Sequence, residues 1–268
     1  MNLSYFPLED LGMYAGETMK KLLFLILVLS LAGCGRKGPL KPPEALVPAP
    51  VADLQVGQQG EQFLVSWSRP SEEEGGGALR DLARFQLFRR EVLPPGEDCE
   101  ECPNAYRLLK TVDLDYLQGV IVSGARYYLY DADLLEGTVY RYKVLSLKRD
   151  GTGSRASNLS GAKRVAPPLP PVVTAASSLN SVVLTWKGGA PPPGGSIVGY
   201  NVYRKEGGAK VFLKPLNGTP VKEATFTDTH LEWGKQYDYT VRTVARVAGE
   251  TAESGLSDQV RGALAEPE

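Results

Sequence analysis

The chain has 268 residues, 30 Lys and Arg against 31 Asp and Glu, a single His and three Cys. Charge this close to balanced excludes the basic footprint on which nucleic-acid binding depends. The length is enough for two domains, each able to bury its own core.

In chain order, residues 1–18 carry Glu9, Asp10 and Glu17 and no basic residue. An export signal wants positive charge at its front, so translation is expected to start at Met19 and the stretch before it to be a mis-assigned extension. From Met19 the sequence fits an export signal: Lys20 and Lys21, an unbroken apolar run from Leu22 to Leu29, then small residues up to Cys34. The run is well short of the roughly 20 residues that span a bilayer. Residues 19–33 are therefore read as a cleaved signal peptide. Leu31-Ala32-Gly33-Cys34 resembles the lipobox of bacterial lipoproteins. That resemblance implies cleavage between Gly33 and Cys34 by signal peptidase II, a diacylglycerol on the Cys34 thiol, and acylation of the new amino end by a fatty acid such as palmitate. Two or more chains hold a protein stably where one does not. The mature chain then has 28 acids and 28 bases, so lipid and not charge carries it to the membrane.

Residues 34–50 hold seven of the first prolines and glycines of the mature chain in a run that cannot build a core, and they are expected to form an extended tether. Cys34-Gly35-Arg36-Lys37-Gly38-Pro39-Leu40 resembles the opening of small outer-membrane lipoproteins of the LptM type, which assist assembly of the lipopolysaccharide translocon. The alternative is a generic basic tether lying against anionic headgroups. Gly35 is not the Asp that retains such proteins at the inner membrane, and this points to the outer membrane.

The rest is a repeat. Phe63-Leu-Val-Ser-Trp67 recurs as Val182-Val-Leu-Thr-Trp186, and Phe85-Gln-Leu-Phe-Arg-Arg-Glu91 as Tyr200-Asn-Val-Tyr-Arg-Lys-Glu206. Leu134, Gly137, Tyr140, Tyr142 and Val144 recur as Leu231, Gly234, Tyr237, Tyr239 and Val241, each pair 97 positions apart. Alternating segments rich in Val, Tyr and Thr, broken by Gly, Pro and Asp-Gly, predict an all-β pair of antiparallel sandwiches. The second-strand Trp67 and Trp186, the Tyr-x-Val-Tyr-Arg strand, and Tyr140 and Tyr237 resemble fibronectin type III domains. The resemblance implies buried tryptophans and a tyrosine corner at Tyr140 and Tyr237, whose hydroxyls bond back to the chain. The domains are expected at 51–165 and 172–263, joined by the Pro-rich connector 166–171, which limits bending, and followed by a tail at 264–268.

The first copy is the longer. Arg89 to Asp131 spans 42 positions and Arg204 to Asp228 only 24, so 18 residues are inserted in it, with Cys99-Glu-Glu-Cys102 among them. Zinc wants four ligands, and Cys34 and His230 do not complete such a set here. A redox pair wants positive surroundings, whereas Asp98, Glu100 and Glu101 are acidic. A small disulfide clip is the favoured reading. The loops Glu72–Ala78 and Gly188–Gly195 are expected to be solvated turns. Tyr127, Tyr128 and Tyr130 are expected to pack on alternate faces of a strand and not to form a sugar platform.

No serine elbow, phosphate-cradling loop or metal spacing is present, so neither enzymatic activity nor a cofactor or metal is expected. The leading reading is a lipid-anchored envelope module that binds or scaffolds a protein or glycan. The alternatives are a helper of lipopolysaccharide-translocon assembly, with the lipidated opening as its active part, and a carbohydrate-binding spacer.

Overall fold

In a computed structural model, residues 42–207 and 211–266 are described. The export signal, the lipobox residues Leu31 to Cys34 and the opening that follows lie outside the described residues. The first sandwich has eight strands: β1 Gln55–Gln59, β2 Gln62–Ser68, β3 Leu82–Val92, β4 Arg107–Asp113, β5 Ile121–Ser123, β6 Arg126–Asp131, β7 Val139–Lys148 and β8 Ser160–Lys163. The second has seven: β9 Val172–Ser177, β10 Val182–Lys187, β11 Gly195–Glu206, β12 Thr225–Asp228, β13 Tyr237–Val247, β14 Glu250–Glu253 and β15 Val260–Gly262.

Period-two alternation positions each core. Along β7 every second residue, beginning with Tyr140, Tyr142 and Val144, is buried. This is what successive side chains on opposite faces of a strand produce. In the first sandwich a sheet in the order β4-β3-β7-β8 faces β1-β2-β6-β5. Phe63, Val65, Trp67, Phe85, Leu87 and Val144 fill the space between them. In the second, β12-β10-β9 faces β11-β13-β14, with β15 on β13, around Val182, Leu184, Trp186, Val202, Tyr239 and Val241. Tyr127 and Leu129 point into the first core while Tyr128 and Tyr130 lie on the other face of β6.

The two sandwiches share a sheet. β14 pairs in parallel with β1, Gln58 opposite Ala252 and Gln59 opposite Glu253, so one continuous sheet runs β11-β13-β14-β1-β2-β6-β5. The turn that delivers β14 there is a two-residue hairpin with positive φ at both positions, Ala248 (49°) and Gly249 (87°). Positive φ at both central residues matches the twist of a hairpin. The restraint between the domains therefore does not rest on the prolines of 166–171 alone. An edge strand leaves N–H and C=O groups unpaired, and β14 covers the end of β1 at Gln58 and Gln59.

Both loops are exposed over most of their length, as expected, yet each is also met by a neighbouring segment. Residues 45–49 run beside the β2–β3 loop, with Gly75 N donating to Ala45 O (2.8 Å), Glu74 N to Val47 O (3.0 Å) and Ala49 N to Glu72 O (3.0 Å). A Cβ on Gly75 would fall 2.8 Å from Ala45, so only glycine permits this approach. The tether expected over 34–50 thus ends against the first sandwich, with Pro48 buried. In the second loop, a Cβ on Gly188 would meet the Tyr200 hydroxyl at 2.3 Å and one on Gly189 would meet Leu169 at 2.8 Å. In both cases bare backbone lets a neighbouring segment close in, which polarity alone does not reveal.

Candidate functional site

Each sandwich holds the same buried polar knot. In the first, Arg89 Nη1 donates to Asp131 (2.9 Å to Oδ1 and to Oδ2), the Tyr142 hydroxyl donates to Asp131 Oδ2 (2.7 Å), and the guanidinium lies 5.1 Å from the Tyr140 ring centre. In the second, Arg204 and Tyr239 reach Asp228 Oδ2 at 2.7 and 2.9 Å, and Arg204 lies 4.8 Å from the Tyr237 ring centre. Burial, reinforced by the carboxylate beside each, pushes the Tyr142 and Tyr239 phenols far above their ordinary value. They serve as fixed donors and not as acids. Tyr140 accepts from Leu135 N (2.9 Å) and Tyr237 from Glu232 N (3.2 Å), closing a tyrosine corner in each domain. Trp67 packs edge-on to Phe85 and stacks on Tyr127, and Trp186 packs on Tyr200. These residues build the fold. His230 joins through its backbone alone, its carbonyl accepting from Arg204 (2.7 Å) and its N–H donating to Asp228 (3.0 Å). The Arg–Asp pairing went unrecognised in the sequence, although the two spacings that measure the insertion run between these residues.

The insertion is where the first sandwich departs from the second. Cys99 and Cys102 are joined by a disulfide (S–S 2.06 Å). Asp98 and Glu100 turn inward, while Glu101 is exposed. Asp98 accepts from both terminal nitrogens of Arg90 (2.7 and 3.0 Å) and from Leu93 N (3.0 Å). Glu100 accepts from Arg90 (3.3 Å), from the Tyr106 hydroxyl (3.1 Å) and from Arg141. Tyr106 lies between Lys143 (4.0 Å) and Arg90 (5.6 Å), each over its ring. The Arg90 side chain is only 2% exposed, so burying it requires this paired set of acids. Hydrogen bonding from Arg90 holds the Asp98 carboxyl below the usual carboxylate range.

Pinning the loop down leaves a groove beside it. β4 begins at Arg107, opposite Arg89, so Arg90, Glu91 and Val92 are strand-paired only with Arg141, Tyr140 and Val139 of β7. A cavity of about 590 Å³ occupies the vacant flank, lined by Arg90, Leu93, the disulfide, Asn104, Arg107 and Leu108. Its size falls in the range of ligand-binding clefts. Leu93 and Leu108 are exposed at its margin, and they share the lining with the charged residues Arg89, Glu91, Glu97 and Arg107. The arrangement suits binding. Among the described residues, no group of three or more His, Cys, Asp or Glu is placed to hold a metal ion.

The domain joint is the third polar cluster. The Glu253 carboxylate accepts from the Tyr203 hydroxyl (2.9 and 2.8 Å), from Gln59 Nε2 of the first sandwich (3.0 Å) and from Asn201. Tyr130 of the first sandwich donates to Gln59 Oε1 (3.2 Å). Val165, Ala245, Val247 and Ala252 seal the joint with a small apolar core.

Comparison with known proteins bears on both parts of the chain. Residues 22–43 match the conserved region of the LPS-assembly lipoprotein LptM, and residues 166–258 match the fibronectin type III domain. The chain thus combines an LptM-type lipoprotein region with fibronectin type III domains. It is 32% identical over 120 residues to Exoglucanase B of Cellulomonas fimi, which covers 42% of this chain and 10% of that enzyme. The chain spans only that tenth of the enzyme's length. Among solved structures it is similar to the FN1–FN3 domains of chicken CNTN1, at 18% identity and a TM-score of 0.32, over 80% of this chain and 65% of that one.

Proposed function

We propose that this protein is a non-catalytic scaffold of the bacterial cell envelope, anchored in the outer membrane through lipid on Cys34, which presents the insertion groove to an envelope protein or glycan. The observation that carries the reading is the shared sheet: β1 and β14 join the sandwiches into one continuous sheet, so the chain holds a surface at a fixed place. β3 is 11 residues long, and the groove lies at its far end from the loop where the tether joins. At about 3.4 Å per residue, that separates them by about 35 Å.

The test is fatty-acid labelling of the wild type and of Cys34→Ser, followed by membrane fractionation and photo-crosslinking from Leu108. Labelled, outer-membrane wild type with a discrete adduct at Leu108 supports the reading. Unlipidated wild type, or no adduct from Leu108, sinks it. Changing Cys99 and Cys102 to serine sharpens the result: both sandwiches stay folded, since the clip closes a loop too small to stabilise much, while the adduct is lost.

The match at residues 22–43 favours a second reading, in which the lipidated opening helps assemble the lipopolysaccharide translocon. If a fragment ending at Pro50 restored translocon assembly in a deletion strain, the sandwiches would be dispensable for that role.

A further inference from the structure

The tether does not leave the first sandwich freely. Its last residues are held by backbone hydrogen bonds between Ala45 and Gly75 and between Val47 and Glu74. Eleven residues, Cys34 to Glu44, precede that clamp, and a chain of that length reaches at most about 40 Å. Whatever Cys34 is anchored in therefore stays within that distance of this end of the domain.

Three loops and the foot of the tether meet there. Arg149 N donates to Asp81 O (3.0 Å) and its guanidinium pairs with Asp115 (3.0 Å), tying the β7–β8 loop to those after β2 and β4. Lys148 pairs with Glu73 (2.7 Å) and Arg155 with Glu74 (2.6 Å). This end also exposes large apolar side chains: Tyr116 is 69% exposed, Leu117 45%, and Leu46, in the short 3-10 turn Pro43–Leu46, 43%. The Tyr116 hydroxyl accepts from Gln118 Nε2 (2.8 Å), so the ring has a polar tip on an apolar body. Such rings settle at the headgroup level of a bilayer.

We propose that this end of the first sandwich rests on the membrane, with Leu46, Tyr116 and Leu117 entering the headgroup region. The proposal rests on the lipid anchor at Cys34. Charge complementarity argues against anionic headgroups as the attraction. The segments 69–81, 113–120 and 148–155 carry seven acids and five bases, and Lys148, Arg149 and Arg155 are each paired with an acid. The contact is apolar, and it holds on neutral lipid and in high salt. Its consequence is orientation: the groove and the second sandwich project away from the bilayer.

The test uses the full lipidated chain in phosphatidylcholine vesicles, with an environment-sensitive fluorophore on Leu117→Cys or, independently, on Leu46→Cys. The disulfide leaves Cys99 and Cys102 unavailable to the label. Both labels should shift to shorter wavelength and lose at least half their emission to a quencher in the lipid tails, unchanged in 1 M salt. A label on Lys235→Cys in the second sandwich should show neither effect. Vesicle-bound protein with solvent-like emission at both 117 and 46 overturns the proposal and leaves the anchor standing. Protein that fails to float with vesicles overturns the anchor, and this inference with it.

Discussion

Gln58 and the backbone of Val165 exchange two hydrogen bonds across 107 positions: Nε2 donates to Val165 O (2.6 Å), and Val165 N donates to Oε1 (3.0 Å). The amide is 3% exposed, so it stands in for a missing strand partner at the point where the chain leaves the first sandwich. Replacing Gln58 with Leu strands Val165 N, at a cost of about 1–3 kcal/mol for a donor left buried and unpaired, while Val165 O keeps its bond from Arg164. The wild type should melt in one transition, because the joint couples the domains. Gln58→Leu should melt in two, as read by calorimetry.

Ala248 is the only non-glycine residue with positive φ among the described residues. A Cβ in that region costs roughly 1–2 kcal/mol. Ala248→Gly or Ala248→Asn should therefore raise the denaturation midpoint and slow hydrogen exchange in β14. No gain from either would mean the turn adopts another conformation.

Asp131 and Asp228 each hold an arginine and a tyrosine hydroxyl at once. Breaking one partner out of a buried pair costs about 3–5 kcal/mol. Asp131→Ala should loosen β6 and β7, and Asp228→Ala should loosen β12 and β13. Hydrogen exchange resolved by strand reads this directly, and equal loss of protection in both sandwiches would contradict the assignment.

The insertion should be sensitive to acid. Because Arg90 holds the Asp98 carboxyl below its ordinary value, the contact is complete above the ordinary carboxylate range and is lost as pH falls through the lowered value. Between pH 7 and 5 the Tyr106 ring resonances should not move. Below the ordinary carboxylate range they should shift as the loop lifts, and Asp98→Asn should abolish the dependence.

Gly75→Val forces a side chain into Ala45, which lies 2.8 Å from the position a Cβ would take. Residues 45–49 should then come away from the β2–β3 loop and become cleavable by protease, with the sandwich intact. Continued protection would place the tether's foot elsewhere.

Much of this protein was legible in its sequence because strands write themselves in period two and the chain states its pattern twice. Trp67 with Trp186 and Tyr140 with Tyr237 fixed the kind of domain, and the 97-residue offset gave the register. The paired spacings located the insertion as well. What that reading lacked were contacts between segments far apart in the chain. The repeat does not announce that β14 pairs with β1, since pairing of two edge strands leaves no periodic trace in either. Gly75, Gly188 and Gly189 read as residues of solvated turns, yet another backbone or side chain lies where a Cβ would be. Asp98 and Glu100 read as acids beside the cysteines, but that they neutralise a buried Arg90 depended on the loop folding back over the sheet. Local sequence fixes which face of a strand is buried. Which edges and loops meet depends on burial and on satisfying N–H, C=O and charge, and these act only once the chain has closed.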